Sequence, residues 1–360
     1  MKEAFIARSS LYASKGGDTI QILNTARCLG QLKVQVDIRL TDEKINYKQY
    51  DLLHFFNLIR PADILPHIRH APIPFVVTPL LIDYSEYDKQ YRKGISGKLF
   101  RLLSADQIEY VKTIARWMKR QEKVKSFSYL FKGHHNSIKN IIRKAGLFLP
   151  NSEMEYRQLK QSYSLMPSYT VIPNGIDESL FLSSANSEKD DRMVLCIARI
   201  EGIKNQLNLI KALNNSGYQL FIIGNAAANQ STYYHECRKL AAENIHFIDH
   251  LPQKELIQYY QKAKVHILPS WFETCGLSTL EAAAMGCNVV ITNKGYAAEY
   301  FTGHAFYCDP SSPSSIFEAV NKASRANHCK ILQEKIFSTY TWENAALKTY
   351  QAYKKIVLKK

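Results

Sequence analysis

Short apolar runs alternate with longer amphipathic stretches along the whole 360-residue chain. The runs have the length of β-strands, and the stretches between them repeat apolar residues every three or four positions, as helices do. This pattern predicts strands at 3–8, 34–40, 51–56, 75–78, 148–150, 169–172, 193–197, 219–223, 245–247, 265–268, 288–292 and 305–307. It predicts helices at 20–29, 205–214, 233–243, 254–262, 278–285, 314–326 and 342–357. Strands that alternate with helices form parallel sheets covered on both faces.

The length allows two domains, and turn signals divide the chain near its middle. Pro173 blocks a helix and Asn174-Gly175 favours a turn. We therefore expect an α/β protein with two doubly wound, Rossmann-like domains, residues 1–165 and 166–341. Ligands of such sheets bind outside the carboxyl ends of the strands, so we expect both sheets to turn those ends toward a shared cleft.

The most informative segment runs from Pro269 to Gly286. A predicted strand precedes it, and a helix follows a small loop made of Thr274, Cys275, Gly276 and Leu277. The start of a helix favours anions, because its first N–H groups lack partners within the helix and its dipole is positive there. Two carboxylates, Glu273 and Glu281, flank this loop, where sugar hydroxyls or a reacting centre could meet them. The alternative is a capped helix with two ordinary acidic residues.

Further polar loops follow other predicted strands. Arg199 and Lys204 precede a helix and can clamp a diphosphate, or they are a solvated helix start. Gly16 and Gly17 follow the first strand and allow close approach of an anion, or form a plain turn. Two loops of the second half, which contain Gly224 and Leu251, each follow a predicted strand. A nucleotide base could rest there against the backbone.

These motifs resemble glycosyltransferase family 4, the retaining nucleotide-sugar enzymes of the GT-B fold. The matching residues are Ile172–Asp177, Arg199 with Lys204, and Glu273 with Glu281 followed by 282–286. The resemblance implies that Arg199 and Lys204 hold the donor diphosphate, that Glu273 contacts the transferred sugar and that Glu281 contacts the ribose. It implies phosphate contacts from the backbone around Gly16, Gly276 and Leu277, and a closing helix, 342–360, that returns to the first domain.

One departure from the family pattern lies in the first domain. Members often have a histidine after the fourth strand, where this chain has Leu80 or Leu81. Asp83 and Tyr84 are candidates to replace it. His54 is the better-matched polar residue on the acceptor side, with a core histidine as an equal alternative.

The charge is strongly positive and unevenly distributed. The chain has a net charge of +15, and residues 85–145 hold 15 Lys and Arg against 5 Asp and Glu, a net +10. Cations pair with Leu, Phe and Trp in the insert 91–148, which suits an anionic membrane surface; a solvated helical face is the alternative. Seven dispersed cysteines indicate a reducing compartment, and no apolar run has the length of a membrane span. We expect a cytoplasmic protein peripheral to the inner membrane face.

We therefore expect a retaining glycosyltransferase that moves a sugar from a nucleotide-diphosphate donor, a UDP-sugar by family frequency, to a saccharide acceptor. The expected acceptor is lipid-linked, in bacterial O-antigen or capsule synthesis. Neither an Asp-x-Asp motif nor a cluster with metal-ligand spacing occurs in the sequence, so we expect no metal or other cofactor. One alternative is a nucleotide-sugar epimerase of the same shape. The other is a basic nucleic-acid-binding protein, although the sequence contains no recognised nucleic-acid-binding motif.

Overall fold

A computed structural model of the protein describes residues 1–92, 95–118, 127–182 and 188–358. Residues 119–126 of the basic insert and 183–187 of the second domain lie outside the described residues. The chain divides into two compact units, each an α/β domain. Unit 1 consists of Met1–Asn174 with Trp342–Lys360, and unit 2 consists of Gly175–Thr341.

Unit 1 is built on a five-stranded parallel sheet with the order β2-β1-β3-β4-β5. Its strands are β1 (Lys2–Ala7), β2 (Gln35–Leu40), β3 (Leu52–Phe56), β4 (Phe75–Thr78) and β5 (Leu147–Phe148). Alternate residues of β1 and β3 enter opposite faces: Ile6 and Phe55 join one core cluster, whereas Phe5 packs edge-on against His54 on the other face. Both faces are therefore covered, which explains why these strands are apolar at nearly every position.

In the described part of unit 1, seven α-helices precede unit 2: α1 (Gly17–Gln31), α2 (Pro61–His70), α3 (Ser85–Gln90), α4 (Ile95–Phe100), α5 (Ala105–Met118), α6 (Phe127–Lys144) and α7 (Glu153–Tyr163). Four of these, α3 to α6, lie between β4 and β5. Within α6 the backbone departs from helical geometry at Gly133, where φ is 71°. After unit 2, the chain returns to unit 1 as α16 (Trp342–Val357), which packs against α1.

The predicted strand at 169–172 is wrong as an element of the second sheet. Tyr169 instead forms an isolated bridge with Phe148, and the Ile172 N–H donates to the Pro150 carbonyl. This segment extends the edge of the first sheet beside β5, because its backbone hydrogen bonds are made there. The boundary between the units consequently falls after Asn174 and not after residue 165.

Unit 2 is built on a six-stranded parallel sheet with the order β11-β10-β9-β6-β7-β8. Its strands are β6 (Asp190–Ile197), β7 (Gln219–Ile223), β8 (Ile245–Ile248), β9 (Ala263–Leu268), β10 (Asn288–Thr292) and β11 (Phe306–Cys308). Leu195 and Ile291 belong to one core cluster, and the neighbouring Val194 and Val290 belong to another on the opposite face.

Eight helices cover the two faces of this sheet among the described residues. They are α8 (Glu178–Leu182), α9 (Gln206–Leu213), α10 (Ser231–Leu240), α11 (Gln253–Lys262), α12 (Leu277–Ala284), α13 (Ala297–Phe301), α14 (Pro313–Arg325) and α15 (Lys330–Thr339). The strand β9 pairs with both β6 and β10, so the loops that follow these three central strands leave the sheet side by side. In the described ranges, none of the helices is both long and apolar enough to cross a membrane.

Candidate functional site

The loop after β9 places Glu273 among charged and hydroxyl groups. Its Oε2 accepts from the Lys204 ammonium at 2.6 Å and from the Ser270 hydroxyl at 3.1 Å. The backbone of Glu273 is held by the next loop, because its carbonyl accepts from Tyr296 N and a side chain at Gly295 would overlap that carbonyl. Glu273 is 7% exposed, so its carboxylate is fixed in place yet reachable.

Lys204 closes a short 3₁₀ turn, Gly202–Lys204, which follows β6. The next residue, Asn205, has a φ of 61°, and its amide donates to the carbonyls of Pro269 and Pro310. These bonds tie the turn to the loop after β9. Burial lowers the pKa of Lys204, but the neighbouring Glu273 carboxylate outweighs it, so the net shift is upward and the amine stays charged.

Arg199 follows β6 directly and has a more open environment. Its guanidinium donates to Glu201 at 2.8 Å, and its side chain is 44% exposed. A pair so exposed contributes little to stability, so the guanidinium can leave Glu201 for a stronger anion at small cost.

Glu281 lies one turn into α12, and both of its carboxylate oxygens have partners. Oε1 accepts from Gln253 at 2.6 Å, and Oε2 accepts from the Tyr260 hydroxyl at 2.8 Å. Burial raises the pKa of Glu281 to about 7, while these two hydrogen bonds act in the opposite direction. The group therefore titrates near neutral pH.

The start of α12 is shaped by Gly276, whose φ of 69° would strain any other residue. A Cβ there would also come within 2.9 Å of the Thr279 hydroxyl. The Ser278 hydroxyl donates to the Ile197 carbonyl at 2.7 Å, which holds the helix start at the end of β6. The Cys275 side chain lies in the core, whereas Thr274 and Leu277 are half-buried.

The two loops predicted to hold a base lie next to each other. Gly224 directly follows β7 and has a φ of 144°, and a Cβ there would overlap the Ala198 carbonyl. The His250 N–H donates to the Asn225 side chain at 2.9 Å, which joins this loop to the one containing Leu251. Leu251 is half-buried against the core and leaves part of its surface to solvent.

In unit 1, Gly16 and Gly17 stand at the start of α1. The loop before them is held by Arg8, which donates to Asp18 at 2.6 Å and to the Ser14 carbonyl at 2.6 Å. Gly16 has an extended backbone, and its N–H donates to the Thr19 hydroxyl at 3.1 Å.

The acceptor-side candidates differ from one another in environment. His54 is 2% exposed; Nδ1 lies 2.6 Å from the Tyr353 hydroxyl and Nε2 lies 2.7 Å from the Thr78 hydroxyl. Burial lowers its pKa to about 3, so the ring is neutral. The geometry favours the core alternative for His54. Asp83 accepts from Ser85 N, and Tyr84 is half-buried beneath the Lys112 ammonium, 4.8 Å from its ring centre.

Three residues that orient the acidic pair were missed by the sequence reasoning: Ser270, Gln253 and Tyr260. Gln253 and Tyr260 are seven positions apart on α11, a spacing that places both on one helical face. That spacing is visible in the sequence, but it does not reveal that α12 is the helix this face meets.

The whole chain superposes on solved structures of the same architecture. A sucrose-phosphate synthase from Thermosynechococcus elongatus is 16% identical with a TM-score of 0.75, and each chain is covered over 100% of its length. An Anabaena protein, HepE, solved with UDP and glucose, is 16% identical with a TM-score of 0.62, over 100% of this chain and 96% of that one. The two parallel-sheet, Rossmann-like domains are those of the GT-B glycosyltransferase fold.

Residues 179–337 match the family model described as glycosyl transferases group 1. The match covers less than half of the 360 residues, so it assigns this part of the chain as a group 1 glycosyltransferase domain.

Curated relatives agree with this assignment. A D-inositol 3-phosphate glycosyltransferase of Acidothermus cellulolyticus is 27% identical over 43% of this chain and 40% of that one. A glycogen synthase of Mycobacterium tuberculosis is 28% identical over 51% and 48%. The matched segment thus spans less than half the length of these two relatives. An N-acetylgalactosaminyltransferase of Campylobacter jejuni, named for a diphospho-undecaprenol acceptor, is 24% identical over 82% of this chain and 83% of that one.

Proposed function

We propose that this chain is a retaining glycosyltransferase that transfers a sugar from a UDP-sugar to a saccharide acceptor. The observation that carries the proposal is the contact of Lys204 with Glu273 beside the start of α12. It puts a cation, a carboxylate and a helix start together in loops after two adjacent strands of unit 2.

The cations suit a diphosphate. Lys204 supplies a point charge and Arg199 a two-pronged donor, and the N–H groups at the start of α12 add a partial positive charge. Each cation pairs with a carboxylate of the protein, Lys204 with Glu273 and Arg199 with Glu201. On binding, the diphosphate takes over these charges, and it does so most strongly as negative charge develops on the leaving group.

The transfer follows a front-face course. The bond from the anomeric carbon to the diphosphate oxygen breaks, and the acceptor hydroxyl bonds to that carbon on the same face. The hydroxyl proton passes to the departing phosphate oxygen. Glu273 orients the sugar and stabilises the positive charge on its ring, while Glu281 accepts hydrogen bonds from the ribose hydroxyls. We propose that the site works without a metal, since cationic side chains meet the diphosphate charge.

The finer assignments rest on relatives and on composition. The bound UDP of the Anabaena protein supports uracil as the base. The Campylobacter relative supports a polyprenyl-diphosphate-linked acceptor, and with it a role in bacterial O-antigen or capsule synthesis at the cytoplasmic face of the membrane. The seven free cysteines fit the same compartment.

A thermal-shift panel of UDP-, GDP- and ADP-sugars tests the donor. A ligand that binds only the native state at 100 times its Kd stabilises it by about 2.7 kcal/mol, which is a measurable rise in Tm. We expect the rise with UDP-sugars, and its loss in Lys204→Ala. A panel without any shift contradicts the proposal. Product analysis with donor alone separates transfer from epimerisation, since an epimerase converts the donor without an acceptor.

A further inference from the structure

Helix α5 buries Ile108 in the fold, but it also carries apolar residues toward the surface. Val111, Ile114 and Met118 follow one another at intervals of three and four, so they share one face of the helix. Met118 is 75% exposed and the adjacent Trp117 42%, while Val111 and Ile114 are half-buried. We name Val111, Ile114, Trp117 and Met118 the outer face of α5. No charged residue of α5 lies on it.

Three of the four charged residues of α5 have charged or polar partners within the fold. Asp106 accepts from His135 at 2.6 Å and from Tyr163 at 3.2 Å. Lys112 bridges Glu109 and the buried Asp88, and its side chain is 19% exposed. A surface helix ordinarily shows the opposite arrangement, with polar residues toward water. Asp106, Glu109 and Lys112 thus have partners within the fold, and Arg116 donates to the Thr113 hydroxyl at 3.1 Å. None of the four residues of the outer face carries a charge.

Exposed apolar residues also stand next to exposed cations just before α5 and on α6. Just before α5, Leu102 is 85% exposed and stands next to the exposed Arg101. On α6, Phe131 is 90% exposed and stands next to the exposed Lys132. The Tyr110 hydroxyl donates to the Leu130 carbonyl at 3.0 Å, which fixes this part of α6 against α5.

We infer that the outer face of α5, with Leu102 and Phe131, docks onto an anionic lipid surface. Apolar side chains ringed by Lys and Arg match the boundary between acyl chains and negative headgroups. A second copy of the chain fits less well, because a symmetric interface would bring the same cations together within a region of net charge +10. The inference names the partner surface of the proposed function, which has a lipid-linked acceptor, yet its test needs neither donor nor acceptor.

Co-sedimentation with vesicles provides the test. One set is pure phosphatidylcholine, and the other mixes phosphatidylcholine with phosphatidylglycerol. Met118→Asp is compared with Met166→Asp, since Met166 is a methionine of almost equal exposure, 73%, outside the proposed surface. We expect the native protein to prefer the anionic vesicles. We expect Met118→Asp to weaken that binding by about tenfold or more, because it removes an inserting group and adds repulsion, and Met166→Asp to change it less than about twofold.

A second pair of variants tests the charges. Lys98→Glu with Arg101→Glu reverses two exposed cations beside Leu102, and Lys211→Glu with Lys239→Glu reverses two exposed cations of unit 2. Only the first pair should weaken binding to anionic vesicles by about tenfold, and added salt should weaken the native interaction, since each cation near the surface contributes to the attraction.

Three results would overturn the inference: equal binding to neutral and anionic vesicles, equal losses in Met118→Asp and Met166→Asp, or a lipid-free dimer that Met118→Asp dissociates. The last result, seen by sedimentation velocity, would assign the face to a second copy. Failure of the proposed function looks different, because UDP-sugars would then leave the Tm of every variant unchanged while vesicle binding persisted.

Discussion

The ammonium of Lys204 lies 2.6 Å from the carboxylate of Glu273, although the two residues are 69 positions apart. Asn205 makes this contact possible, because its amide binds the carbonyl of Pro269 at the end of the segment that carries Glu273. The proposed donor site is therefore held together by hydrogen bonds from the Asn205 side chain to backbone carbonyls, which remain when either charge is removed.

Lys204→Ala should lower kcat/KM by about 100-fold or more, since a cation that meets charge on the leaving group is lost. The Tm should change little, because the hydrogen bonds of Asn205 persist and the Glu273 carboxylate keeps the Ser270 hydroxyl and the Thr274 N–H as partners. Lys211→Ala, an exposed lysine on α9, is the matched control and should keep native turnover. Near-normal turnover of Lys204→Ala would show that Lys204 is not part of the site. The same result for Glu273→Ala would exclude Glu273.

Donor affinity should depend on pH through Glu281. Its pKa is raised to about 7, so the carboxylate, which we propose accepts hydrogen bonds from ribose, is the main form above pH 7 and the protonated acid is the main form below it. The KM for the donor should therefore rise as the pH falls from 8 to 6. Glu281→Gln should have a high KM with no such dependence; a pH dependence that survives this substitution has another source.

Glu3 should make the fold less stable in alkali. It is fully buried on β1, and neither carboxylate oxygen has a hydrogen-bond partner among the described residues. Burial first, and the nearby Asp51 second, raise the pKa of Glu3 to about 8 from 4.5, so the folded state binds a proton that the unfolded chain releases. Stability then falls as the pH rises from about 4.5 to about 8, by about 1.4 kcal/mol for each unit of the shift at most.

Glu3→Gln removes this ionisation while keeping the shape of the side chain. Its Tm should exceed that of the native protein at pH 8.5, by an amount that shrinks toward pH 5, where Glu3 is protonated in the folded state. If the Tm of Glu3→Gln differed from that of the native protein by the same amount at pH 5 and at pH 8.5, the assignment would be contradicted.

His54→Ala distinguishes a core histidine from an acceptor contact. The substitution leaves a cavity and removes partners from the hydroxyls of Tyr353 and Thr78, which should cost about 2–4 kcal/mol of unfolding free energy. The KM for the acceptor should stay at its native value at temperatures where the variant is folded. A large rise in that KM with an unchanged Tm would return His54 to the acceptor side.

Chelation should leave transfer intact. If Lys204 and Arg199 meet the diphosphate charge, then prior dialysis against EDTA should not change kcat, and added Mg²⁺ should not raise it. Activity that is lost on chelation and restored by a divalent ion would contradict the metal-free proposal.

The bounds of most strands could be predicted closely from the sequence, whereas the contacts between side chains distant in sequence could not. Runs such as Asn288–Thr292 are buried on both faces, so their apolar pattern alone defines their bounds. The run at 169–172 has the same pattern, but nothing in it indicates which strand it meets. His54 depends on Tyr353, 299 positions later, and this contact becomes visible only when α16 is in place. Composition indicated the basic insert, whereas the exposed apolar residues of α5 became visible only in the structure.

The return of α16 to unit 1 has a consequence for biosynthesis. The second unit is inserted within the first, so a ribosome completes residues 175–341 before it supplies the helix that packs against α1 and binds His54. Unit 1 therefore remains incomplete, with one face of its sheet uncovered, while unit 2 is synthesised. In chains truncated before residue 342, unit 2 should therefore be folded, whereas unit 1 should be recognised by chaperones and proteases.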